Sequence, residues 1–224
     1  MPDGPPRYAH GSRNRLTARD RPRFPGDTLF ERVARVVCEA ACLPRKELYE
    51  AWEVARRTRR RFRGGRVLDL ASGHGLVAHL MLILDDTSPV ALAVDPSVPA
   101  SAAVLARALV DAWPRLAGRV VALARPLAEV PPAAGDVVVS VHACGALTDD
   151  VLAAAIAARA RVAVLPCCHD IAGATLGGWL EPTLAIDVAR AHRLIAAGYD
   201  VVTQAIDPAI TPKNRLLLGA PRIS

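Results

Sequence analysis

The run Arg66-Val67-Leu68-Asp69-Leu70-Ala71-Ser72-Gly73-His74-Gly75-Leu76-Val77-Ala78 decides how this chain folds. A short apolar stretch enters it, small residues break it, and an apolar stretch at helical spacing leaves it. Strand, glycine turn and helix in that order open a doubly wound α/β fold, which places its ligand at the turn. Glycine at 73 and 75 lets a ligand approach the backbone where a side chain would block it.

Downstream the same rhythm repeats. Strands are predicted over 66–70, 90–95, 120–123, 136–141 and 161–165, and helices over 75–84, 98–113, 148–158 and 187–197. Continuous Val/Leu runs, rather than strict alternation, indicate a parallel sheet covered on both faces. Two last runs, 200–206 and 214–218, flank Pro208 and Pro212 and predict an antiparallel hairpin closing a seven-stranded, mostly parallel sheet. Upstream, Leu29, Phe30, Val33, Val36, Val37 and Ala40 recur at helical spacing, with Asp27 or Thr28 as N-cap. A second helix is expected from Arg45 or Lys46 to about Phe62, stopped by Gly64-Gly65. The chain therefore divides into a flexible basic tail (1–26), a helical N-terminal cap (27–65) and a ligand-binding domain (66–224). The tail assignment rests on five prolines, several arginines and few large apolar residues.

At 224 residues, 52% hydrophobic and 22% charged, the chain suits one buried core and excludes collagen, coiled coil and wholesale disorder. Neither a membrane-length apolar run nor a signal peptide is read from it, so a cytoplasmic protein with no membrane partner is expected. The net charge of +6 is almost all arginine, Lys46 and Lys213 being the only lysines, and it favours anionic partners. Five cysteines, two of them adjacent, do not form a disulfide framework and point to a reducing compartment. Cys38 and Cys42, one turn apart on an apolar helix, read as small buried hydrophobes.

The glycine loop alone does not choose the cofactor, since Gly73-His74-Gly75-Leu76-Val77-Ala78 also fits the dinucleotide fingerprint. Asp95, followed by Pro96 at the end of the second strand, can accept both ribose hydroxyls of NAD or of S-adenosylmethionine. Asp69, four residues before Gly73, and the closing hairpin favour S-adenosylmethionine. In these features the chain resembles the class I methyltransferases. The resemblance implies a Rossmann-like fold and an S-adenosylmethionine site at Asp69, the Ala71-Ser72-Gly73-His74-Gly75 loop, Asp95 and Pro96. The third strand ends in Ala124-Arg125-Pro126-Leu127, with no acid or amide for the adenine amine, so backbone groups and Leu127 must serve.

The fourth strand runs into His142-Ala143-Cys144-Gly145 and the fifth into Pro166-Cys167-Cys168-His169. Parallel strands end on one edge, so His142, Cys144, Cys167, Cys168 and His169 are expected to converge beside the donor, with His142 touching it. Three readings follow: a histidine general base, a Cys/His zinc site, or a cysteine nucleophile. The base is preferred and no metal is assigned, because adjacent cysteines lack the usual ligand spacing. With Thr211-Pro212-Lys213-Asn214, these strings are similar to the methyltransferase domain of the glutathione S-transferase C-terminal domain-containing family. More distantly they resemble the tRNA acceptor-stem 2'-O-methyltransferases. That resemblance implies an acceptor pocket at His142, Cys144 and 167–169, and RNA as a possible acceptor. The alternatives are a small-molecule or protein acceptor, or a non-catalytic cofactor- or zinc-binding module. Arg56, Arg57, Arg59, Arg60, Arg61, Arg63 and Arg66, with Phe62 among them, form the basic run expected to meet RNA; a solvated helix end is the plainer reading. Trp52 is read as core, Trp179 as part of a closing loop after 173–178, and Lys213 and Asn214 as leaning toward the site edge.

Overall fold

In the computed structural model, which describes residues 9–171 and 178–222, the expected rhythm becomes seven strands. They are β1 (Val67–Leu70), β2 (Ala91–Val94), β3 (Val120–Leu123), β4 (Val137–Ser140), β5 (Arg161–Val164), β6 (Tyr199–Ala205) and β7 (Arg215–Pro221). Around them pack α1 (Leu29–Ala40), α2 (Arg45–Arg61), α3 (Leu76–Leu84), α4 (Ala102–Ala112), α5 (Ala146–Ala158) and α6 (Pro182–Ala196). The strand order is β3-β2-β1-β4-β5-β7-β6. Strands β1 to β5 are parallel, and β7 is antiparallel to both its neighbours. The expected hairpin is present, but its second strand inserts between β5 and β6, pairing Ala163 with Leu218 and Val202 with Leu218 from opposite sides. Asn214 closes the hairpin through its side-chain amide, which donates to the Ile206 carbonyl at 3.0 Å, while Lys213 stays exposed.

Period-two alternation splits the sheet into two apolar faces. Val67, Ala93, Val137, Val139 and Ala163 meet α1 to α4, whereas Leu68, Leu70, Val138, Val162 and Val164 meet α5 and α6. The helical cap shares the first of these cores, with Val33, Val37, Leu48 and Val54 buried among sheet residues. Helix α6 begins five residues before Asp187, because Pro182 fits the first helical position and the Glu181 carboxylate accepts from the Thr183 and Leu184 amides. No helix among the described residues is long and apolar enough to cross a membrane.

The flexible-tail expectation fails for residues 9–26. Leu16 and Phe24 are buried in the core, a 3₁₀ turn spans Ala18–Arg23, and the Leu16 amide donates to the Leu43 carbonyl at 2.9 Å. Phe24 also meets Phe30 edge-on, ring centroids 6.0 Å apart. Average polarity hides two anchors placed to reach the groove beside α1 and α2. Leu16→Ala is expected to lower the unfolding free energy by about 2–4 kcal/mol in urea titration. An undocked segment would leave the midpoint unchanged.

Candidate active site

The glycine loop is built on left-handed backbone. After β1 the chain passes through Ala71 (φ +57°), Gly73 (φ +53°) and Gly75 (φ +72°), and a Cβ at Gly75 would stand 3.1 Å from that of Ala93. Ala71 occupies this region at a steric cost that glycine would not bear. One Asp95 oxygen accepts from the Gly73 amide at 3.0 Å and the other from the Ser97 amide at 2.8 Å, fixing the loop against the end of β2. Asp69 alternates with Leu68 and Leu70 and therefore turns to the α3 face, where its carboxylate accepts from the Ala78 amide at 3.0 Å. It satisfies one of the orphan amides at the start of that helix. Burial pushes its carboxyl up to about 7, with Asp95 adding to the rise and the Ala78 amide opposing it.

The loop residues divide between two cavities. Ala71, Val94, Pro96, Leu127, Leu147 and Asp150 wall one of about 500 Å³, within the usual range for a cofactor site. Ser72, Gly73, His74 and Gly75 line a second, of about 320 Å³, on the α3 and α4 side. There His74 Nε2 lies 3.0 Å from the Ser101 hydroxyl. The Ser72 hydroxyl is buried and without a hydrogen-bond partner in the protein, so the loop retains polar capacity that a ligand can use.

At the ends of β4 and β5 the five expected residues separate. The Gly145 amide donates to the Cys168 carbonyl at 3.3 Å, pinning the two strand-end runs together. The sulfurs of Cys144, Cys167 and Cys168 consequently lie within 4.8 Å of one another, with Cys144 and Cys167 3.0 Å apart. Burial and the neighbouring thiols raise Cys167. His142 leaves the strand toward α2, its Nε2 4.0 Å from Glu50 Oε2. Burial lowers the His142 pKa, Glu50 opposing and Lys46 assisting, which leaves the imidazole neutral and able to accept a proton at pH 7.

His169 does not join the cluster. Its side chain is 2% exposed and its Nε2 lies 2.7 Å from Asp187 on α6, which Arg215 Nε also contacts at 2.6 Å. Asp187 on α6 thus holds the Nε2 edge of the ring, while Nδ1, also buried, has no hydrogen-bond partner. Cys38 on α1 is buried as expected; Cys42 is buried too, although it lies two residues beyond the end of that helix rather than on it.

Two groups escaped the sequence reading, Asp187 and Glu50. Glu50 is 1% exposed; one oxygen meets Lys46 Nζ at 2.9 Å and the other, facing His142, has no hydrogen-bond partner. Its readable signal is a charge one turn before Val54, on the buried stripe of α2.

The basic run also divides. Arg59 is buried, Arg66 pairs with Asp136 at 2.7 Å, and Arg56 and Arg57 both hold Glu53. Arg60 and Arg61 are exposed and, with Arg56, Arg57 and Gln204, line a polar cradle of about 400 Å³. Trp52 packs on Phe30, centroids 5.2 Å apart, whereas Trp179 is 91% exposed. Of the loop expected over 173–178, residues 173–177 lie outside the described residues.

A seven-stranded sheet with one reversed strand, a glycine loop and an acid closing β2 defines a Rossmann-like fold of the methyltransferase class. Residues 46–172, more than half of the chain, match the family described as methyltransferase domain, and the chain belongs to that family. No curated protein sequence matches it. Its fold is similar to that of an O-methyltransferase family protein from Burkholderia thailandensis, at 20% identity and a TM-score of 0.53, over 94% of this chain and 65% of that one. A Nostoc punctiforme protein described as an O-methyltransferase is similar at 15% identity and a TM-score of 0.51, over 86% of this chain and 60% of that one. The chain thus spans about two thirds of the length of the first of these and less of the second.

Proposed function

We propose that this chain is an S-adenosylmethionine-dependent methyltransferase with an RNA acceptor. The observation that carries the reading is Asp95, fastened to the Gly73 amide beside a cavity of about 500 Å³ walled by Pro96 and Leu127. The donor, when bound, supplies an electrophilic methyl group on a sulfonium. Asp95 has lone pairs left for ribose hydroxyls, and Pro96 and Leu127 offer apolar walls for adenine. His142 accepts the proton of the acceptor hydroxyl or amine, and the Glu50 carboxylate 4.0 Å away stabilises the imidazolium that results. Cys144 and Cys168 contribute exposed, polarisable contacts to the acceptor side.

RNA is favoured over a small molecule by the Arg60 and Arg61 cradle and by the resemblance to the tRNA acceptor-stem enzymes. Gln204 lies near the carboxyl end of β6, which runs parallel to β5, so the cradle borders the edge at which the strand ends carry the site.

The test supplies donor labelled in its methyl group to RNA, metabolite and protein fractions. Label is expected in RNA, with binding that weakens steeply as salt rises. Arg60→Glu with Arg61→Glu should lower RNA affinity by about tenfold or more and flatten the salt slope by roughly two. His142→Ala should lower turnover on the order of a hundredfold while donor affinity holds. Label confined to metabolites or protein would overturn the RNA acceptor, and donor binding without transfer to any fraction would leave a cofactor-binding module.

A further inference from the structure

We propose that Cys144, Cys167 and Cys168 form a site for one thiophilic cation, zinc(II), with a fourth coordination position left open. The sequence argued against such a site, because adjacent cysteines lack the usual C-x2-C ligand spacing. In the fold that objection lapses. Strand β5 ends at Val164, so Cys167 and Cys168 lie on irregular backbone and both present their sulfurs to Cys144. The third ligand comes from the β4–α5 connection, held in place by the Gly145 amide on the Cys168 carbonyl at 3.3 Å. Arg190 stiffens the same turn, donating to the Gly145 carbonyl at 3.1 Å and to Asp149 at 2.8 Å.

The dimensions fit a single ion. Zinc–thiolate bonds of about 2.3 Å in tetrahedral geometry set sulfurs roughly 3.8 Å apart. These three sulfurs lie within 4.8 Å, so sub-ångström to ångström adjustments of exposed side chains complete the set. Exposure itself argues for a ligand, since a free cysteine that only packs is among the most buried of residues, as Cys38 and Cys42 are here. Cys144 and Cys168 are exposed instead, beside Cys167. Three protein thiolates and an open position are the pattern of a site that takes water or the oxygen, nitrogen or sulfur of a bound molecule. His169 is not among the side chains whose ligand atoms gather within 4.8 Å, and its Nε2 is held by Asp187. Leu147 and Asp150, from the start of α5, wall the cavity of about 500 Å³, so the site would lie one turn of chain from it.

The experiment is independent of methyl transfer. Full-length protein, reduced and stripped with chelator, is titrated with cobalt(II) and then zinc(II). The expected result is one equivalent of cobalt, with near-ultraviolet thiolate-to-metal absorption of three-thiolate intensity, displaced stoichiometrically by zinc. Cys144→Ser and Cys168→Ser, both at exposed positions, should each weaken zinc binding on the order of a hundredfold, whereas Cys38→Ala should not. The proposal is overturned by reduced wild-type protein that binds less than stoichiometric metal, by cobalt spectra without thiolate absorption, or by unchanged affinity in Cys144→Ser. The wild-type spectrum decides the matter even if a serine variant fails to fold.

Discussion

Asp95→Ala should raise the dissociation constant for S-adenosylmethionine by about a hundredfold or more. A hydrogen bond to a charged group is worth about 1.5–3 kcal/mol, and in the proposed donor site Asp95 accepts two from the ribose, so a loss near 3 kcal/mol is the lower expectation. The substitution also strips the Gly73 and Ser97 amides of their acceptor, which loosens the loop that the ligand must meet. Asp95→Asn keeps an acceptor oxygen and should fall between the two. Calorimetric titration with S-adenosylmethionine, S-adenosylhomocysteine and NAD reads all of this. Micromolar binding of the two adenosyl ligands, weak binding of NAD and loss in Asp95→Ala are expected. Tight NAD binding, or an alanine variant that binds as well as wild type, would remove the donor assignment. Because metal titration uses no donor, that failure would leave the three-thiol site to stand or fall separately.

The order of strands and helices was legible because it rests on local signals: apolar runs, glycine turns and caps. Insertion of β7 between β5 and β6 was not, since the pairing of 162–164 with 217–219 is set by sheet burial rather than by either segment. The site shows the same division. Topology alone brings the ends of β4 and β5 to one edge, and the three sulfurs do meet there. The direction of each imidazole depends on a carboxylate from another element, Glu50 on α2 for His142 and Asp187 on α6 for His169. Asp69 carries the family pattern in the sequence, yet strand alternation turns it beneath the loop to hold the first turn of α3. The segment 9–26 misled through its average, because Leu16 and Phe24 are too few to change the composition and sufficient to dock the chain.

Arg59→Ala should be the most destabilising change in the basic run, by about 3–5 kcal/mol, whereas Arg60→Ala should cost less than about 0.5 kcal/mol. Arg59 and Asp85 are each 2% exposed in their side chains and 3.2 Å apart. The guanidinium further donates to the Met81 carbonyl at 2.9 Å and to the Ser88 hydroxyl at 2.7 Å. Burial lowers its pKa to about 10, Asp85 opposing, so it remains charged at neutral pH. Truncation leaves buried Asp85 with only the more distant Arg63, at 3.7 Å, as a cation, and takes the Arg59 donor from the Met81 and Phe62 carbonyls and the Ser88 hydroxyl. At 2–4 °C per kcal/mol for a chain of this size, the melting temperature should fall by roughly 10 °C. The deficit should also depend on pH. Burial pushes Asp85 up, but hydrogen bonds from Thr87 and Gly64 and the charge of Arg59 outweigh it and hold its carboxyl below the usual value. A carboxylate lowered on folding stabilises above its unfolded pKa and ceases to do so as pH falls through its folded one. The gap between wild type and Arg59→Ala should therefore be full at pH 7 and close only as pH falls past the ordinary aspartate range, through the lowered folded pKa of Asp85. Thermal unfolding of Arg59→Ala and Arg60→Ala across that range, set beside their RNA affinities, separates two roles that one stretch of sequence superimposes. Equal melting temperatures would mean that the run is a single solvated face, and the buried pair would lose its claim to anchor α2 against the turn after α3.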